Sequence, residues 1–99
     1  MAEHTTAGKE FVARIVHQLV PTIEQDFWRD DPNKGDMIQH LCFFIEGTYG
    51  VHRIAFMTSA LDACAHPHNT NERHRVEHYI RQKVRALLRP YALTRQREL

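Results

Sequence analysis

The residues of this chain best suited to chemistry are its eight histidines and two cysteines. Five of these crowd one stretch: Cys64, His66, His68, His74 and His78. Imidazole and thiolate are the ligands of a tetrahedral zinc site. His74 and His78 stand at i and i+4, on one face of a helix, and Cys64-x-His66-x-His68 approaches in a loop just before them. His74-Arg75-Val76-Glu77-His78 also spells H-x-x-E-H, the inverted zincin pattern. Two considerations weaken it. A peptidase of that kind needs a third ligand and a substrate cleft, for which 99 residues leave little room. Glu77 also has a nearer partner than a metal-bound water, in Arg81 one turn on. No cofactor is therefore expected, and zinc on Cys64, His66, His68, His74 and His78 stands as the alternative.

Other catalytic patterns are missing from the sequence. It has no glycine-rich phosphate loop, no nucleophile elbow and no paired carboxylates, and Ser59 is its only serine. The expectation is a non-enzymatic protein.

The strongest binding signal is charge. Net charge is only +1, but it is unevenly spread. Glu24 to Asp31 holds four acids and one base, and Asn71 to Leu99 holds eight bases and three acids. Charging all eight histidines would take the net from +1 to +9, so behaviour should change steeply between about pH 7 and 5.5. On a helix, His74, His78, Arg81, Arg85 and Arg89 fall in one sector, opposite the apolar face. A solvated face is the plain reading of such a stripe. Arg81, Arg85 and Arg89 repel one another at i,i+4, however, and an isolated domain gains nothing from that. An acidic protein surface would explain the stripe, and the Glu24–Asp31 patch of a second copy is one such surface. Nucleic acid is the alternative partner, but only Gln82 stands beside the arginines as a base-reading side chain. Trp28, next to the acidic turn, completes the expected partner-binding set as an interface anchor.

These groups need elements to hold them. Leu41 to Ile45 is the longest uninterrupted apolar run, and five consecutive apolar side chains point in every direction. It reads as the central helix of a small all-α bundle of about four helices, or as a helix shared across a dimer. Before it, Phe11, Ile15, Leu19, Ile23 and Phe27 recur every fourth residue, with Val12, Val16, Val20 and Trp28 beside them. That predicts one helix, kinked at Pro21. Asp30-Asp31-Pro32-Asn33-Lys34-Gly35 is a turn, Asp36 caps the second helix, and a third runs from about Val51 to Cys64. His66 to Asn71 is a linker, with Asn69 capping the last helix. The inward face of that helix reads Val76, Tyr79, Ile80, Val84, Leu87, Leu88 and Tyr91, and Pro90 kinks or stops it. The alternative is an α-β-β-α domain, because Ile38–Ile45 and Val51–Met57 are rich in β-branched and aromatic residues around the loop 46–50.

The expected organisation is a disordered start at 1–8, a single domain at 9–93 and a frayed basic tail at 94–99. A domain this small gains from oligomerisation, so a homo-oligomer is expected. Glu46, His52 and Arg53 interrupt the apolar segments before they reach membrane-spanning length. No secretory signal is visible, and the cysteines read as buried free thiols, which together suggest a cytoplasmic protein.

Overall fold

A computed structural model describes the backbone of residues 2–98 and the side chains of residues 6–90. It shows an α+β fold with element order α1 (Ala2–Leu19), β1 (Ile23–Asp31), β2 (Gly35–Ile45), β3 (His52–Met57), α2 (Thr58–Cys64) and α3 (Thr70–Glu98). The three strands form one antiparallel meander with β2 in the centre. All-α is therefore wrong, and so is the helical bundle. The α+β alternative fits, with its hairpin across the loop 46–50.

The physical reason lies in the apolar run itself. A short continuous apolar segment suits a strand with apolar groups on both faces as well as it suits a buried helix. Here Leu41, Phe43 and Ile45 point to one face of β2, and Cys42 and Phe44 to the other. β-branched and aromatic side chains, which pack well on a pleated surface, decide for the strand. Asp36 lies within β2 rather than capping a helix, and the expected third helix divides into β3 and α2.

The expected helix over residues 9–28 also divides. Its regular phase stops at Leu19, because the residue before a proline is pushed out of the α region and Pro21 has no N–H to give. The Val20 carbonyl accepts from the Ile23 N–H at 3.3 Å, which turns the chain into β1. A register shift between Ile23 and Gln25 then reverses the facing of the strand. Ile23 and Trp28 pair with Ile45 and Leu41 on the core side, while Phe27 pairs with Cys42 on the other. The fourfold spacing of Ile23 and Phe27 is thus no helical stripe.

The core lies between the sheet and a layer of three helices. Val12, Ile15, Val16 and Val20 of α1, Leu61 and Cys64 of α2, and Val76, Ile80 and Val84 of α3 meet Leu41, Phe43, Ile45, Ile54 and Phe56. Tyr79, Leu87 and Leu88 are half-buried beside them, so the inward face of α3 is as its spacing predicts; Tyr91 lies outside the described side chains. Where α1 crosses α2, a Cβ added at Gly8 would sit 1.9 Å from the Leu61 carbonyl oxygen, so only glycine allows this approach. Asn69 immediately precedes α3. Its carbonyl accepts from the Arg73 N–H at 3.0 Å, and its side-chain amide donates to the Ala63 carbonyl at 2.9 Å. The helix then continues through Pro90. None of the described helices is long and apolar enough to cross a membrane.

Candidate functional site

All the helices pack on one face of the sheet, and the other face is open. Strand pairing puts Ile38, His40, Cys42 and Phe44 of β2 on that open face. Phe27 and Arg29 of β1 stand opposite Cys42 and His40, and Arg53, Ala55 and Met57 of β3 stand opposite Cys42, His40 and Ile38. An antiparallel sheet with one solvated face normally alternates apolar and polar residues. The central strand here carries three apolar residues and one histidine outward. Phe27 is 40% exposed and Met57 64%, while Cys42, in the middle, is only 5% exposed beneath its neighbours.

The charges on this face are cationic. Arg29 and Arg53 flank β2 on either side, and neither makes an ion pair among the described residues. His40 is the exception, because its Nε2 lies 2.8 Å from Asp31 Oδ2. Asp31 also accepts from the Asn33 and Lys34 backbone N–H groups through Oδ1, at 2.8 Å each. Together these bonds, the one to His40 foremost, hold the Asp31 carboxyl down at about 2. The β1–β2 turn is thus fastened to the central strand. With Nε2–H donated to Asp31, the buried Nδ1 of His40 has no hydrogen-bond partner. Asp30 is occupied on the opposite side: its Oδ1 accepts from the buried Gln39 amide at 2.6 Å.

The expected partner-binding residues are only partly brought together. His74, His78, Arg81, Arg85 and Arg89 are all exposed on the outer side of α3, away from the sheet, and Arg81 Nε donates to Glu77 at 3.4 Å. Trp28 is elsewhere. It is half-buried on the helix side of β1, its ring centroid 5.9 Å from that of Phe56, with the Lys9 ammonium over its face at 5.4 Å. It seals the core edge and does not join the stripe.

Nor do the zinc candidates converge. Cys64 is buried, its Sγ donates to the Glu72 carbonyl at 3.9 Å, and burial pushes its thiol pKa up. The His66 and His68 rings lie 5.5 Å apart in the turn before α3, while His74 and His78 face outward. Among the described residues, no three histidine, cysteine or acidic side chains are placed to hold a metal ion.

An apolar groove of about 470 Å³ lies between β3 and α3, with Phe56, Met57, Val76 and Tyr79 in its lining. The Tyr79 hydroxyl donates to the Ala55 carbonyl at 2.6 Å and ties the helix to that strand edge.

Phe27, Arg29, Ile38, His40, Phe44, Arg53 and Met57 do not appear in the sequence-based site. One signal could have found the β2 members: the two-sided apolar character of Leu41–Ile45 means, in a strand, that the face away from the core is apolar too. No family model matches the chain, and no curated protein or solved structure matches it either.

Proposed function

We propose that this protein is a non-enzymatic binding module whose open sheet face docks a protein partner that brings apolar side chains flanked by carboxylates. The observation that carries this reading is the composition of that face: Phe27, Ile38, Phe44 and Met57 around a buried Cys42, with Arg29 and Arg53 making no ion pair among the described residues. Contiguous exposed apolar groups rimmed by charge are the signature of an interaction surface. Charge complementarity selects the partner. A second copy stacked on this face would set arginines and His40 against their own kind, whereas an acidic partner neutralises both arginines. The basic stripe of α3 lies on the other side of the helix layer, away from this face.

Cys42 and His40 share the open face: Cys42 Sγ donates to the His40 backbone carbonyl at 3.9 Å, and the His40 ring is engaged by Asp31.

One observation favours a second reading. Phe27 and Phe44 beside two arginines could stack and neutralise a single nucleic-acid strand. The acidic strand β1, with Glu24, Asp26, Asp30 and Asp31, opposes it.

Selection of a displayed random peptide library on the full chain tests the proposal. Enriched peptides are expected to pair apolar residues with Asp or Glu, to shift the Phe27 and Met57 resonances, and to lose binding at least tenfold with Phe27→Asp. Peptides that map only to α3, a homodimer by light scattering that Phe27→Asp dissolves, or a DNA or RNA single strand that binds this face more tightly than any selected peptide would each overturn it.

A further inference from the structure

The open face holds one small cavity. Its volume is about 60 Å³, and Arg29, Asp30, Pro32, His40, Cys42 and Arg53 line it. That is several times the roughly 10–15 Å³ one water needs, and it suits a single compact oxyanion.

The strand register explains why cations converge there. Arg29 on β1 stands opposite His40, and Arg53 on β3 stands opposite Cys42, so both side chains leave the open face from the strands flanking β2, and both line the cavity. The backbones of β1 and β3 are about 10 Å apart at two strand spacings, within reach of two arginines sharing one ligand. The nearby acids, Asp30 of the lining included, have hydrogen-bond partners of their own. Asp31 serves His40 and two turn amides, and Asp30 turns its carboxylate to Gln39. His40 also lines the cavity, its Nε2 engaged by Asp31.

We propose that this cavity is the subsite for a phosphoryl group on a side chain of the docked partner, held between Arg29 and Arg53 beside His40. The inference rests on the open face being the docking surface. A phosphoryl group fits better than a carboxylate for two reasons. Its charge approaches −2 at neutral pH, matching two arginines. Its three free oxygens can be shared between two guanidinium groups, whereas a planar carboxylate is satisfied by one guanidinium fork. A nucleic-acid backbone fits less well, since it needs a track of cations and this cavity offers one point of charge.

The test uses peptides selected on the full chain, synthesised with phosphoserine or with alanine at the acidic position nearest the cavity. Inorganic phosphate and acetate, at constant ionic strength, are the small probes. Phosphopeptides should bind at least tenfold more tightly than their alanine counterparts. Arg29→Gln or Arg53→Gln should bring the affinity ratio of phosphorylated to alanine peptide to within about twofold of one, whatever each does to the alanine peptide itself, with folding verified by amide spectra. Inorganic phosphate should shift the Nε resonances of Arg29 and Arg53 saturably, and those of Arg81 and Arg85 should not follow. Equal binding of the phosphorylated and alanine peptides overturns the subsite and leaves the docking surface standing. If no peptide binds, the docking surface falls, and saturation by phosphate alone then supports the cavity as an oxyanion site. Acetate matching phosphate, or shifts shared equally with the α3 arginines, overturns it.

Discussion

The two faces of the sheet are built from the same three strands, yet they follow different rules. On the helix side, every large β2 side chain meets a partner: Leu41, Phe43 and Ile45 are buried against α1, α2 and α3. On the open side, residues of similar character alternate with them, and no described helix covers them. Apolar groups on the covered face stabilise the fold. The exposed groups of the open face, Phe27 and Met57, contribute less to it, because their surroundings change less when the chain unfolds. Hydrophobicity alone therefore does not tell core from interface. The facing of each residue does, and it is set by strand register.

The most direct way to break this contrast is to truncate one aromatic on each face. Phe43, fully buried, should cost about 3–5 kcal/mol as Phe43→Ala, measured by urea denaturation. Phe27→Ala should cost under about 1 kcal/mol in the same assay. Equal losses would mean that the open face is part of the core. Next in size is Gly8→Ala, which forces α1 away from α2 and should cost about 1–3 kcal/mol by the same measurement. An unchanged midpoint would show that the helix layer can slide.

Tyr79→Phe sharpens the comparison at the sheet edge. It removes only the hydroxyl that donates to the Ala55 carbonyl, and about 0.5–1.5 kcal/mol should be lost. The smallest effect concerns the turn beside the open face. The Asp31 carboxyl lies at about 2, below the 3.8 of a free carboxyl, so its contribution is complete above about pH 4 and disappears as pH falls towards 2. Stability should therefore fall on the acid side, and Asp31→Asn should flatten that fall. In a carbon-detected titration, His40→Asn should move the Asp31 midpoint up towards the ordinary carboxylate value. An unmoved midpoint would show that the turn amides, not His40, hold the charge.

Parts of this architecture were legible in the chain. The apolar positions of α1 up to Leu19 and of α3 from Val76 to Leu88 follow the helical period, and their burial agrees. The breakers at Asp30–Gly35 and His66–Asn71 mark real connections. Gly47 and Gly50 occupy the β2–β3 loop with φ of +82° and +77°, conformations that glycine adopts without strain. β1 was hidden for a particular reason. Its composition, Ile-Glu-Gln-Asp-Phe-Trp-Arg-Asp-Asp, is that of an acidic edge, and the register shift after Ile23 removes the alternation that would have marked a strand. Its apolar residues then align by chance with the helical stripe before Pro21.

The candidate site was less legible still. The five basic and histidine positions of α3 are exposed together, as helical geometry requires. The open face joins residues from three strands, and no local pattern connects Arg29, His40 and Arg53.

By itself the sequence determined the inward faces of α1 and α3, the turns between elements, and a middle segment apolar on all its sides. Those properties depend on neighbours within a few residues. Only the tertiary structure decided that this middle is a strand, that helices cover one of its faces, and that two arginines line one cavity on the other. Strand pairing joins residues far apart in the chain, and a shift of one position would have sent each of those side chains to the opposite face.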